Sequence, residues 1–410
     1  MDPLWLERVA SHQMTLSPRP GGGTQKILHV ITGLGSGGAE RQLTALVRGS
    51  GAASLRHVVV SLMDEGIYGA ELRAAGVEVH SLGIGRGRAS LGAFFRLVRL
   101  IRHHRPQVVQ TWLYHADLAG LLAAVLGGRP KVIWTLRCSD MQLDRYAPLT
   151  RSIVRVLAHL SRLPAAVIAN SAAGLRVHER LGYRPRHTRV IPNGIDTGAF
   201  HPDPEARAAV RSEFGISAEV PLIGCLARHD PMKDHAGLLT AFAKCGDSAR
   251  LLLAGTGTEP DNKSLTNEIF AAGLDPSRVI RLGERRDVPR LLAALDLFVL
   301  SSAFGEGFPN VVAEAMSCGI PGVVTDVGDA AAILGPCGTV APPSDPAAMT
   351  TAIKKLLALS PDDRTALGLQ ARHRITARYG LTSMTEAYEA LYTDLILTAR
   401  DTANKIIRYD

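Results

Sequence analysis

Residues 297–325 read LFVLSSAFGEGFPNVVAEAMSCGIPGVVT. The short apolar runs Leu297–Leu300 and Gly322–Thr325 suit strands buried on both faces, and a loop and a helical pattern lie between them, which makes the stretch one strand–helix–strand unit of a parallel sheet. Pro309 fits the first helical position, where its missing N–H costs nothing, and Gly319 followed by Pro321 marks the stop. The helix is therefore expected from Pro309 to Cys318. Its first turn would present the N–H groups of Asn310, Val311 and Val312, without intrahelical partners, at the positive end of the helix dipole, a ready site for an anion.

Two carboxylates flank that helix start. Glu306 falls in a glycine-rich loop with Gly307 and Phe308, and Glu314 falls one turn inside the helix. A paired acid/base arrangement of the glycosidase kind would need them to face each other, and a loop residue and a residue behind the anion site do not. Glu314 is better placed to accept hydrogen bonds from a diol such as a ribose, and Glu306 to reach a reacting sugar. An ordinary surface role for Glu314 is weakened by Val311, Val312, Ala315 and Met316 around it, which make the helix look buried.

Outward from this unit the same alternation fills the chain. Strand-like runs occur at Ile27 to Ile31, His57 to Leu62, Val77 to Leu82, Val108 to Trp112, Val132 to Leu136, Ala166 to Ala169 and Thr188 to Ile191. After a break at Pro192-Asn193-Gly194 they resume at Leu222 to Leu226, Leu251 to Ala254 and Val279 to Leu282. The fold class is α/β, with two doubly wound Rossmann-like domains facing each other across a cleft, and ligands expected beyond the carboxyl ends of the strands. The expected division is a mobile tail over 1–23, a first domain over 24–195 and a second over 196–384. A long C-terminal helix, 385–410, is expected to pack back on the first domain.

No apolar run is long enough to span a bilayer, and Asp2 and Glu7 sit where a signal peptide would carry basic residues. Five scattered cysteines suit a reduced, cytoplasmic chain. Residues 1–195 hold 25 Lys+Arg against 11 Asp+Glu, and the remainder 21 against 27, so a basic half precedes an acidic one. The basic half suggests an anionic membrane face or an anionic acceptor. Nucleic acid fits the charge but no recognition motif is present. Arg86 to Arg105 forms a basic amphipathic helix pattern, suited to a bilayer surface or, more commonly, to a core-facing helix with a solvated face.

Further candidates sit just past other strands. Gly33-Leu34-Gly35-Ser36-Gly37-Gly38-Ala39-Glu40 would let backbone N–H groups approach a phosphate or sugar, although such a loop alone often marks only a tight turn. In Ala227-Arg228-His229-Asp230-Pro231-Met232-Lys233-Asp234, Arg228 and Lys233 can converge on a diphosphate if their loop faces that of Glu306. His115, Arg137 and Asp140 follow strands of the first domain. A lone histidine in such a place is more often structural than catalytic.

Together these residues resemble the retaining glycosyltransferases of family 4, of the GT-B fold, over Ile27 to about Leu356. The resemblance rests on Glu306 and Glu314 with seven residues between, Asn193-Gly194-Ile195-Asp196, Arg228 with Lys233-Asp234, and Gly255-Thr256-Gly257. Gly305 to Asp329 and Trp134 to Asp140 look like the bacterial enzymes that build surface polysaccharides. The resemblance implies transfer of a sugar from a nucleoside diphosphate to an acceptor hydroxyl, with retention. It implies that Arg228 and Lys233 neutralise the diphosphate, with Asn310, Val311 and Val312 amides beside them. Glu314 would hold the ribose, Glu306 and His115 would contact the donor sugar, and Gly307 and Phe308 would help to bind the donor. Gly35, Gly37 and Gly38 would close over the donor, and Arg281 to Glu284 would border the base. Arg137 and Asp140 are candidates for acceptor contacts. No metal or cofactor is implied, which fits a sequence without a metal-ligand cluster; the acceptor would be a saccharide or lipid-linked glycan. Glu259-Pro260 after Gly257-Thr258 departs from the family pattern. Competing readings are a sugar-nucleotide 2-epimerase of the same fold, and an inactive basic module binding membrane or nucleic acid.

Overall fold

The computed structural model describes residues 24–35, 37–51, 55–85, 88–137 and 147–407. The tail expected over 1–23 lies outside the described residues. The first seven strands are β1 (Gln25–Ile31), β2 (Leu55–Ser61), β3 (Glu78–Ser81), β4 (Val108–Trp112), β5 (Lys131–Leu136), β6 (Ala166–Ala169) and β7 (Thr188–Val190). They form one sheet in the order β3-β2-β1-β4-β5-β6-β7, all parallel. The second sheet holds β8 (Leu222–Leu226), β9 (Arg250–Ala254), β10 (Val279–Arg281), β11 (Leu297–Leu300), β12 (Gly322–Thr325) and β13 (Gly338–Ala341). Its order is β10-β9-β8-β11-β12-β13, again parallel.

Strand order reverses between β1 and β4 in one sheet and between β8 and β11 in the other, so the crevices that hold ligands in doubly wound sheets open at those four strand ends. The glycine-rich loop follows β1, His115 follows β4, the Arg228–Lys233 loop follows β8 and the Glu306 loop follows β11. Sequence runs that look unrelated thus meet at the two switch points.

The chain crosses between the sheets twice. Ile195 N–H donates to the Tyr379 carbonyl at 2.8 Å, and Leu381 N–H donates to the Ile195 carbonyl at 3.1 Å, so the two crossings lie side by side. An added Cβ at Gly194 would stand 3.0 Å from Leu381 Cα, a separation that favours glycine there. The final helix, Leu381–Ile407, starts four residues earlier than its pattern suggests. It buries Met384, Tyr388, Leu391, Tyr392 and Ile396 with Ile31 and Trp112 in the core of the first sheet. The helix before it, Pro361–Tyr379, places Ala371 and Ile375 in the core of the second sheet with Val312 and Met316.

The sequence reading missed β13. Gly338-Thr339-Val340-Ala341 is short, opens on glycine and has only Ala341 buried, because it is the edge of its sheet. The helix Leu91–His104 buries Ala93, Leu97, Val98 and Ile101 and leaves Leu91 and Phe95 exposed beside Arg96, Arg99 and Arg102.

Candidate functional site

The β8 and β11 loops are bound to each other. Ser301 Oγ donates to the Lys233 carbonyl at 2.7 Å, and Ala303 N–H donates to the Met232 carbonyl at 2.8 Å. Asp230 Oδ1 accepts from Met232 N–H, which folds Pro231–Lys233 into a single 3-10 turn and directs the lysine inward. Lys233 Nζ pairs with Glu306 Oε1, and Ser302 Oγ donates to the same oxygen at 2.6 Å. Both side chains are largely buried, with 13% and 7% of their surface exposed, so their attraction is less screened than in a surface ion pair and loss of either partner would leave a buried charge uncompensated. The condition set by the sequence, that the two loops face one cleft, is met. Arg228 lies more open and pairs with Asp230 at 3.4 Å.

The Glu306 loop is fixed from behind. Gly328 adopts φ 67°, and a Cβ there would stand 2.3 Å from the Glu306 carbonyl oxygen. Asp329 N–H donates to the Gly307 carbonyl at 2.9 Å. The Asp329 carboxylate then crosses to the first domain and accepts from Ala172 N–H at 2.7 Å and Ala173 N–H at 3.0 Å, at the start of the helix Ala172–Arg180.

The helix after the loop runs over Asn310–Ser317, with Pro309 as its cap residue in an extended conformation and not its first helical residue. Val312 N–H donates to the Pro309 carbonyl at 3.1 Å, which leaves Asn310 and Val311 as the outward amides of the first turn and removes Val312 from the expected set of three. Phe308 does not face the cleft either. Its ring packs 5.5 Å from that of Tyr379 in the core. Gly307 reaches the site only through its backbone.

Glu314 is 5% exposed, and its carboxylate accepts from Arg41 Nη2 at 2.8 Å. Burial raises its pKa, and the guanidinium opposes the rise. Arg41 stands on the helix Gly38–Gly49 that follows the glycine loop, so this ion pair spans the cleft. A Cβ at Gly38 would come 4.0 Å from Asn310 Nδ2, and one at Gly35 would meet nothing within 4 Å. Gly37 is the cap of that helix. Ser36 lies outside the described residues.

His115 is half-buried in the first turn of the helix Tyr114–Leu126, and burial pulls its pKa below the ordinary imidazole value. The residue before that helix, Leu113, is held at φ 75°, a conformation that costs a non-glycine residue about 1–3 kcal/mol and recurs at functional sites. Arg281 donates to Thr266 Oγ1 at 2.7 Å, and Glu284 is exposed. Gly255 N–H donates to the Gly283 carbonyl at 2.7 Å, and a Cβ at Gly283 would stand 2.8 Å from Glu259 Cγ. The departure at Glu259 thus lies against the loop expected to border a base.

Arg137 is turned into the protein and not toward an acceptor. Its guanidinium lies 4.6 Å over the Trp112 ring, donates to Tyr388 Oη at 3.1 Å and also donates to Asn193 Oδ1. Asn193 Nδ2 donates in turn to Asn310 Oδ1 at 2.8 Å. Arg137 therefore braces the start of the helix Asn310–Ser317 through Asn193. Asp140 lies outside the described residues.

The Glycosyltransferase Family 4 model matches residues 36–199, and the model described as Glycosyl transferases group 1 matches residues 220–359. The chain belongs to the glycosyltransferases. This glycosyltransferase is 28% identical over 318 residues to EpsF of Bacillus subtilis, covering 74% of this chain and 79% of that one. It is 32% identical over 196 residues to the GDP-mannose-dependent alpha-(1-6)-phosphatidylinositol monomannoside mannosyltransferase of Mycolicibacterium smegmatis, covering 45% and 50% of the two chains. Its fold matches the crystal structure of Anabaena Alr3699/HepE in complex with UDP, with a TM-score of 0.78 and 24% identity over 90% of this chain and 100% of that one. The fold is GT-B. Relatives of the glycosyltransferase act in glycan and lipid-linked saccharide assembly, and neither the epimerase nor the inactive-module reading finds support among them.

Arg41, Asn193 and Asp329 were not singled out for these roles by the sequence. Each works through a partner in the other domain, and a single sequence carries no signal for pairs so distant. One cluster of possible metal ligands lies outside the cleft. The sequence shows no metal-ligand cluster, yet the fold assembles Glu78, His80 and His104 with ligand atoms all within 4.8 Å of one another.

Proposed function

We propose that this glycosyltransferase transfers a hexose from a nucleoside diphosphate sugar to an acceptor hydroxyl with retention of anomeric configuration. The observation that carries the reading is the Lys233–Glu306 pair, set directly before the helix Asn310–Ser317 and facing the glycine loop of the other domain. On departure of the nucleotide, negative charge grows on the diphosphate and positive charge on the sugar. Lys233, Arg228 and the Asn310 and Val311 amides would stabilise the first, and Glu306 the second. Glu306 acts electrostatically, and the leaving phosphate takes the acceptor proton on the same face. Glu314 accepts from the ribose hydroxyls in place of Arg41, Gly35 to Gly38 cover the donor, His115 contacts its sugar as a neutral imidazole, and Glu284 borders the base. No divalent metal takes part.

The acceptor is a saccharide or lipid-linked glycan presented at an anionic membrane face on the cytoplasmic side, and not a nucleic acid. Exposed Leu91, at 79%, and Phe95, at 60%, beside Arg96, Arg99 and Arg102 support contact with such a face. No helix among the described residues is long and apolar enough to cross a membrane.

The test is a panel of nucleoside diphosphate sugars with a lipid-linked oligosaccharide extract as acceptor, products read by mass spectrometry and anomeric configuration by NMR. A product with the donor's configuration is expected. An inverted linkage, or free epimer formed without acceptor, would overturn the reading.

A further inference from the structure

At the end of the first sheet opposite the cleft, Glu78 and His80 stand two residues apart on the edge strand β3, so their side chains leave the same face. His104, the last residue of the helix Leu91–His104, comes in from the side. His80 Nε2 lies 3.0 Å from Glu78 Oε1, and His104 Nε2 lies 3.4 Å from the same oxygen. The rings of His80 and His104 are 5.6 Å apart.

These separations suit one bound cation. Zinc bonded tetrahedrally at about 2.0–2.1 Å sets its ligand atoms roughly 3.3–3.5 Å apart, close to both distances here. His104 supplies an independent pointer: its side chain is only 5% exposed, and its Nε2 is buried without a hydrogen-bond partner, aimed at the Glu78 carboxylate. A buried imidazole nitrogen left in that state costs free energy that a metal bond would recover. The second carboxylate oxygen of Glu78 is held by Arg56 Nη2 at 3.6 Å, which leaves Oε1 for the metal and orients it.

We propose that Glu78, His80 and His104 form a binding site for a divalent transition-metal ion of the zinc type, with solvent completing the coordination. Two imidazole nitrogens and one carboxylate oxygen select such an ion over magnesium or calcium, which take oxygen ligands. The site stands apart from the sugar-transfer cleft, so the ion is structural. It ties the edge strand β3 to the end of the helix that carries Arg96, Arg99 and Arg102, and so fixes the angle at which that basic face is presented.

The experiment is zinc titration by calorimetry of the full chain stripped with a chelator, with magnesium as control, alongside His80→Ala and Glu78→Gln. Both substituted residues are partly exposed, so the variants are expected to fold, as checked by thermal melts without zinc. The wild type should bind one zinc per chain with Kd in the micromolar range or below, and each variant should bind at least about tenfold more weakly. Zinc at about 100 times the wild-type Kd should raise the wild-type unfolding midpoint by roughly 5 °C and that of His80→Ala by about half as much or less. Absence of stoichiometric zinc uptake by the wild type would overturn the site, as would full uptake by both variants or equal uptake of magnesium.

Discussion

Arg41 and Glu314 meet at 2.8 Å across the cleft, 273 residues apart in the chain. The carboxylate is buried and the guanidinium is 43% exposed, so the pair is anchored from the second domain and can be released from the first. A ribose diol that takes Glu314 would displace a mobile partner, not a packed one.

Glu314→Ala should therefore raise the donor KM by about 10- to 100-fold, the loss of one or two hydrogen bonds to a charged group, with a smaller change in kcat. Initial rates at varied donor concentration measure it; a fall confined to kcat would remove Glu314 from donor binding.

Lys233→Ala and Arg228→Ala should each lower turnover by roughly 10²- to 10³-fold. They should differ in stability. Lys233 is the buried partner of Glu306, and its loss leaves a carboxylate without its counter-charge, at a cost of about 3 kcal/mol or more. Arg228 is 56% exposed, and its variant should unfold in denaturant like the wild type. Equal turnover in either variant would contradict the proposed diphosphate site.

Gly328→Ala tests the loop without touching any charged group. A Cβ 2.3 Å from the Glu306 carbonyl forces residues 305–307 to shift, and φ 67° strains the alanine itself. Activity should drop by at least about tenfold while the circular dichroism spectrum is kept.

Acid should weaken the fold in a defined window. His235 is buried and His57 half-buried, and desolvation lowers each pKa to about 4, while burial, helped by the neighbouring His57, holds the stacked His29 well below the usual imidazole value. Each binds its proton more readily when unfolded, so their contribution is complete above about pH 6.5 and is lost as pH falls toward 4. The loss is roughly 2–3 kcal/mol for each of His57 and His235. Urea melts at pH 7.5 and pH 5 measure it; unchanged stability at pH 5 would contradict the buried neutral state.

The strands were legible because continuous apolar runs are what a parallel sheet covered on both faces demands, Glu306 and Lys233 stood out because loops after such strands collect chemistry, and Glu314 because it lies one turn inside the helix that follows. What could not be read was orientation. Phe308 and Asn310 stand two residues apart, yet one enters the core and the other the cleft, a choice made by Tyr379, far along the chain. Arg137 read as a candidate for acceptor contacts after a strand, and only the placement of Trp112 beneath it and Asn193 beyond it shows a brace. Glu78 and His104 are separated by a strand end and a whole helix, so their meeting at 3.4 Å has no trace in local pattern.

The twin crossings at Ile195 and Leu381 also limit how the enzyme can move. Two backbones hydrogen-bonded side by side resist sliding and twisting relative to each other but can bend together about an axis through the pair. The Arg41–Glu314, Asn193–Asn310 and Asp329–Ala172 contacts are the latches that such bending would have to open.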